Sequence, residues 1–410
     1  MARFLAPLRW LLALTLVGMA GAPALAAVPG PVIAIGGALR ADNDAVWGTV
    51  VALAGGPKAR FLVVGAASED PARAAEKAVA ILRRHGAQAQ FLPLPATSSG
   101  RMRPSRAPVA DQVRQIEAAS GLFFTGGAQE RITAAVGKGP LLAAMQALHR
   151  RGGTIAGTSA GAAVMSEHMF VDPPATLEAM KGGVRQARTL GRGLGFAGPG
   201  VFVDQHFLRR GRIGRLLPAQ WAVGARLGIG VDEDTAAILQ GGVLRVAGSS
   251  GVLVTDVGQA VSVAGASAFG LRGIRLHLLH QGDAMVLDTG AIQPGPGRTL
   301  LTPATVAGGG DPPLHDRFFA NILGEGALTG ALDRIAQDDV REVVGLAFDP
   351  TPGTANPRLG FEFRLSRTPA TIAWSDPVGG KVTVSGISLD VLPVRMAEPL
   401  YRPWLPNTAD

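Results

Sequence analysis

Apolar and polar positions alternate along this chain in two different rhythms. In the first half, short unbroken apolar runs recur: Pro31-Val32-Ile33-Ala34-Ile35, Phe61-Leu62-Val63-Val64-Gly65, residues 90–94, Leu122-Phe123-Phe124-Thr125 and Thr154-Ile155-Ala156. Between them lie stretches of helical periodicity, Pro71 to Arg84, Asp111 to Ala119 and Leu141 to Arg151. Asp70 before Pro71 is a helix-start signal, a side-chain acceptor ahead of a proline at the first helical position. Strands apolar on both faces and separated by helices predict an α/β fold, a mainly parallel sheet flanked by helices. In such sheets ligands bind beyond the carboxyl ends of the strands. Several of these runs end in glycine, as at Gly36-Gly37 and Gly126-Gly127, where a backbone can approach a ligand closely.

The second half is mostly strand. Ala237-Ile238-Leu239, Val243-Leu244-Arg245-Val246, Val252-Leu253-Val254 and Ile274-Arg275-Leu276-His277-Leu278 follow one another with little helix between. Gly290 to Gly310 is rich in Gly and Pro and reads as a linker. Beyond it, His315 to Gln337 reads as helical with a glycine break. Val343 to Asp349, Gly360 to Leu365, Thr371 to Trp374 and Val382 to Val394 read as strands. These predict a small α+β C-terminal extension.

The N-terminus reads as a leader. Arg3 and Arg9 precede the apolar stretch Trp10 to Ala20, and Ala24-Leu25-Ala26 fits a small-x-small cleavage site. Gly21 and Pro23 interrupt the stretch, which is short for a full span of about 20 residues. The expectation is a signal peptide over 1–26, a domain over 27–290, a linker over 291–310 and an extension of unassigned role over 311–410. The mature protein is then secreted or periplasmic, with no membrane attachment after cleavage.

Composition narrows the chemistry. With 47% hydrophobic and 17% charged residues the chain is not a disordered polyampholyte. It has no Cys, which excludes disulfides, a thiolate metal site and a Cys nucleophile. A nucleophile must be Ser, Thr, Lys or a carboxylate. The net charge of +8 comes mostly from Arg, but no basic run is present and aromatics are 5%, so no nucleic-acid partner is expected.

Gly157-Thr158-Ser159-Ala160-Gly161 follows a strand and precedes the helical run Ala162 to Met165. That is the context of a nucleophile elbow, with the Ala160 amide available to an oxyanion. Among seven His, His206 stands out at the end of the apolar run before Val203-Asp204-Gln205-His206-Phe207. His168 reads as lying two turns down the helix after Ser159, and His85 and His149 as lying near helix C-termini. Asp232, Glu233 and Asp234 close another strand and offer an acid to orient a base, a solvated turn, or oxygen ligands for a cation. Too few spaced partners accompany them for a metal site, so neither a metal nor a cofactor is expected. Arg209, Arg212 and Arg215 share a face at helical spacing and could clamp carboxylates.

Phe124-Thr125-Gly126-Gly127-Ala128-Gln129, Gly157 to Ala162, Asp204-Gln205-His206-Phe207 with Arg210, Arg212 and Arg215, and Gly230 to Ala236 occur together and in order. Over about Val32 to about Thr289 the chain resembles the cyanophycinases and their relatives, serine peptidases with a class I glutamine amidotransferase-like fold. The resemblance implies that Ser159 is the nucleophile, His206 the base and Glu233 the acid, with an oxyanion hole from the amides of Gly127 and Ala160. It implies that Gln129, Asp204, Gln205, Arg210, Arg212 and Arg215 shape a pocket for a β-linked aspartyl-arginine unit. It implies a peptide or polymer substrate and release of β-Asp-Arg dipeptides, and it is compatible with a homodimer. The family commonly has Asp where this chain has Ala128. The readings set beside it are an aspartyl or isoaspartyl dipeptidase of the same group and a non-catalytic exported binding protein for anionic polymers.

Overall fold

The computed structural model describes residues 28–397 apart from 99–100, 104, 106, 264–267, 302–316, 338–339, 350, 352, 377 and 379. The expected signal peptide lies outside the described residues. The first half supplies β1 (Val32–Ile35), β2 (Arg60–Val64), β3 (Gln88–Phe91), β4 (Gly121–Phe124) and β5 (Thr154–Thr158). The middle supplies β6 (Val201–Gln205), β7 (Leu227–Val231), β8 (Thr235–Gln240), β9 (Val243–Gly248), β10 (Gly251–Asp256), β11 (Leu271–His280), β12 (Ala284–Val286) and β13 (Ile292–Gln293). The C-terminal part adds β14 (Phe318–Phe319), β15 (Glu342–Ala347), β16 (Leu359–Ser366), β17 (Ile372–Ser375) and β18 (Val382–Arg395).

Two large sheets result. The first runs β13-β12-β9-β8-β1-β5-β4-β2-β3. The parallel arrangement expected from the unbroken apolar runs holds from β1 through β3. On the other side of β1, β8 and β9 pair antiparallel. The second sheet runs β6-β7-β10-β11-β18-β16-β15-β14 and is antiparallel except at β6–β7 and β14–β15. The fold is thus α/β with a parallel core, but antiparallel pairings make up the rest, so "mainly parallel" holds only for the first half. Short connections allow antiparallel neighbours, and the hairpin-like spacing of β8 to β13 uses them.

Helices form where the sequence signalled them. Asp70 caps Pro71–Arg84 by accepting from the Arg73 amide, and Ala75, Ala78, Val79 and Leu82 form its buried stripe. The helix after the elbow is shorter than read, Ala160–Ala163, and His168 opens a strand, His168–Phe170, instead of continuing it. The carbonyls of Val164, Met165 and Ser166 are taken by the amides of Leu194, Ala197 and Gly195, which draws the chain out of the helix. Arg209 and Arg210 likewise sit in a turn, since the helix that follows spans Ile213–Val223 with Arg212 at its N-cap.

The C-terminal part is continuous with the second sheet. β18 pairs with β11 on one side and β16 on the other, and Ile322, Leu332, Phe361 and Leu389 share a core with Phe202, Phe207 and Ile213. Within the expected linker, β13 joins the first sheet, and Arg298 pairs with the fully buried Asp283 at 2.7 Å, so residues 291–301 are built into the fold. Residues 302–310 lie outside the described residues. The long helix expected from His315 is confined to Ala327–Gln337, with β14 and turns before it.

Candidate active site

The carboxyl end of β1 gathers the chemistry. Three successive carbonyls there each accept a backbone N–H from a different turn. Ile35 O accepts from Ser159 at 2.9 Å, Gly36 O from His206 at 2.7 Å and Gly37 O from Asp234 at 2.8 Å. β5 delivers Ser159, β6 delivers His206, and the β7–β8 turn delivers Glu233. Ser159, His206 and Asp234 all have positive φ, at 54°, 48° and 54°. Such backbone costs about 1–3 kcal/mol per residue and survives only where the surroundings hold it. Here the bonds to β1 hold it. Gly37, at φ 101°, must be glycine, because a Cβ would lie 2.3 Å from the His206 imidazole.

Side chains then meet in line. Ser159 Oγ lies 2.9 Å from His206 Nε2, and His206 Nδ1 lies 2.6 Å from Glu233 Oε1. Burial holds the His206 pKa below the ordinary value, with Arg210 and Arg212 acting the same way and the Glu233 hydrogen bond opposing them. The imidazole is therefore neutral at pH 7 and able to accept a proton. Gly126-Gly127 lies beside Ser159: a Cβ on Gly126 would be 3.2 Å from the Ser159 Cβ. Gly127, at φ 140°, has no room for a side chain because the Ala67 carbonyl oxygen would be 2.2 Å away. Ala160 opens the helix, where an N–H has no intrahelical acceptor.

The other carboxylates are occupied as anchors. Asp232 accepts from the Arg209 amide and from Ser250 Oγ. Asp234 accepts from the Arg40 amide and side chain and from Ser249. Burial alone would raise Asp234, yet its hydrogen bonds from Asn43, Arg40 and Ser249 hold it below the usual carboxylate range. Of the three adjacent acids, only Glu233 meets His206.

The expected pocket residues divide. Arg215 makes two bonds to Asp204, at 2.7 and 2.5 Å, with both side chains buried and the guanidinium 4.8 Å over the Phe170 ring. Arg212 donates to the carbonyl and the side-chain oxygen of Gln205, both at 2.6 Å, and burial lowers its pKa to about 10. Gln129 donates to the Phe170 carbonyl at 2.7 Å. Arg210 is 53% exposed and its guanidinium reaches Glu233 only at 3.8 Å. Ala128 occupies the N-cap of the helix Gln129–Val136 and supplies no capping acceptor. The sequence places Gly37, Asp232 and Asp234 at the ends of strands, but not their part in building the site: Gly37 as the close neighbour of His206, and Asp232 and Asp234 as anchors. Gly37 was visible only as the glycine pair ending a strand.

The model of peptidase family S51 matches residues 32–246. The chain belongs to that family. It is a peptidase, and hence a hydrolase. The cyanophycinase of Trichormus variabilis is 34% identical over 277 residues, covering 64% of this chain and 87% of that protein. The cyanophycinase of Geminocystis herdmanii is 34% identical over 266 residues, covering 62% of this chain and 92% of its own. A solved peptidase from an acI-B1 actinobacterium aligns at 20% identity with a TM-score of 0.45, over 64% of this chain and 98% of its own.

Proposed function

We propose that this S51 peptidase is an exported serine-type exopeptidase with a class I glutamine amidotransferase-like fold, hydrolysing cyanophycin or related β-aspartyl peptides to β-Asp-Arg dipeptides. The observation that carries the reading is the line Ser159 Oγ, His206 Nε2, His206 Nδ1, Glu233 Oε1, with contacts of 2.9 and 2.6 Å. The substrate is taken from the cyanophycinase relatives, and export from the leader pattern over 1–26.

His206 Nε2 takes the Ser159 proton as Oγ bonds to the peptide carbonyl carbon. The Gly127 and Ala160 amides hold the oxyanion, a contribution of about 3–4 kcal/mol for one good donor. His206 then gives the proton to the leaving nitrogen as the C–N bond breaks. Water, deprotonated by His206, releases the acyl group from Ser159. Glu233 fixes the imidazole tautomer and stabilises the imidazolium that forms. Asp204 and Gln205 hold Arg215 and Arg212 in place, and Arg210 is the cation left exposed to a substrate carboxylate.

The test is hydrolysis of purified cyanophycin with product identification. Release of β-Asp-Arg that is lost in a folded Ser159→Ala variant supports the reading. Equal hydrolysis in that variant overturns it. Cleavage of short isoaspartyl dipeptides without the polymer would move the substrate to the dipeptidase class.

A further inference from the structure

The family match ends at Val246, yet residues far beyond it press on the turn that carries the exposed arginine. That turn, 207–212, follows His206 directly. Three backbone bonds tie it internally: the Arg210 amide donates to His206 O at 3.3 Å, the Gly211 amide to Leu208 O at 3.3 Å and the Arg212 amide to Phe207 O at 3.0 Å. Phe207 and Arg212 anchor its ends on the core, through Val231 O and Gln205, and contacts from the extension brace the stretch between them. The Leu323 carbonyl lies against Gly211 so closely that a Cβ there would be 2.0 Å from its oxygen. Leu323 Cδ1 also lies beside Gly214 at the start of the next helix. The Arg209 guanidinium pairs with Glu325 at 3.0 Å. This bracing segment is itself anchored. Ile322 is fully buried against Gly345, and its amide donates to Leu346 O at 2.8 Å. A second contact from the extension converges on the same turn. Lys381 Nζ donates to Ser249 O, beside Ser250, whose hydroxyl holds Asp232; Asp232 in turn accepts from the Arg209 amide.

His206 does not depend on these contacts. Its amide is fixed on Gly36 O and its ring between Ser159 and Glu233. Arg210 is tied less firmly: its amide reaches His206 O at 3.3 Å, and its half-exposed guanidinium has as its only ion pair among the described residues the 3.8 Å approach to Glu233, so its side chain follows the turn.

We propose that the C-terminal extension is a positioning element for the active site: the Ile322–Glu325 segment holds the 207–212 turn so that Arg210 is presented to the substrate. It thereby acts mainly on substrate affinity, because burial outweighs Arg210 in holding His206 neutral for the chemistry at Ser159. This inference rests on the triad and the aspartyl-peptide substrate proposed above.

The test uses the full-length protein with Ile322→Ala and Glu325→Ala, and three readouts. Amide hydrogen exchange over 207–212 should quicken in both variants. KM for a β-Asp-Arg peptide should rise about tenfold in Ile322→Ala and about two- to fivefold in Glu325→Ala, whose exposed ion pair is the weaker contact, with kcat and fluorophosphonate labelling of Ser159 within about twofold of the parent. Unchanged exchange, unchanged KM, or labelling that falls in step with KM would each overturn the proposal. If Ile322→Ala does not fold, the surface variant Glu325→Ala carries the same test. If the parent neither labels at Ser159 nor cleaves aspartyl peptides, the functional reading fails separately, and the exchange measurement still decides whether the extension holds the turn.

Discussion

Replacing Glu233 with Gln removes one charge and leaves shape and size nearly unchanged. In the parent, Glu233 Oε1 sits 2.6 Å from His206 Nδ1. In the proposed mechanism His206 takes the serine proton, and the imidazolium then stands opposite that carboxylate with charge centres about 4 Å apart. At an effective dielectric constant of about 20 such a pair is worth about 4 kcal/mol. Glu233 is one-quarter exposed and Arg210 approaches it, so part of that is screened. A loss of about 3 kcal/mol corresponds to a fall in kcat of roughly 10²-fold. The assay is kcat on a β-Asp-Arg peptide from pH 5 to 8.5, with thermal unfolding as a control. The sign of the pH effect separates charge loss from misprotonation. As the proposed base, His206 must be neutral to act, so activity should rise with pH through its pKa and then reach a plateau. Burial already holds that pKa low, and the Glu233 hydrogen bond raises it. Removing the carboxylate therefore moves the midpoint to lower pH, and the plateau loss cannot come from a protonated His206. A plateau loss below tenfold, or a midpoint moving to higher pH, would refute the role given to Glu233.

Three further outcomes follow from the same contacts. Arg215→Met leaves Asp204 buried with only the more distant Arg212, at 3.7 Å, as a counter-charge; unfolding by urea should show a loss of about 3 kcal/mol, near the lower end for a broken buried pair. Ala128→Asp supplies the missing cap of Gln129–Val136 and should raise the unfolding free energy by about 1 kcal/mol; no gain in the same measurement would show that the position resists a cap. Burial lowers the pKa of His277 to about 4 and of His280 to about 3, so below about 6.5 the unfolded chain binds protons that the fold cannot. Stability should be full above that pH and fall from there toward pH 4, read as a lower urea midpoint at pH 5 than at pH 7.5, with His280→Gln flattening the difference.

The sequence made local features legible and long-range ones not. The helix Pro71–Arg84 is bounded as read, because an Asp-Pro start and an amphipathic stripe are local signals. The elbow at Ser159 and the strands feeding His206 and Glu233 were likewise visible as apolar runs ending in polar clusters. His168 was misplaced because nothing local shows that Leu194, Gly195 and Ala197 capture the carbonyls that would have continued the helix. The joining of β18 to β11 spans more than a hundred residues, and period-two patterning says that a strand exists without saying which strand it meets. The same limit left open which of Asp232, Glu233 and Asp234 would orient a base, since the partners that make Asp232 and Asp234 anchors, Arg209, Ser250, Arg40 and Ser249, come from other turns. Nor does the sequence show that Arg215 pairs with the buried Asp204.

The three carbonyls at the end of β1 have a consequence for how activity is acquired during folding. Ile35, Gly36 and Gly37 receive turns from residues 159, 206 and 234, the first carried by the same sheet as β1 and the second by the other sheet. No local piece of the chain contains a working site, and contacts so distant in sequence form late because their loops must close first. A partly folded molecule with only the parallel core assembled would hold Ser159 without His206, its proposed base. With the triad proposed above, the peptidase would stay inert until its two sheets had met, and regain of labelling at Ser159 would mark the completion of folding more sharply than regain of secondary structure.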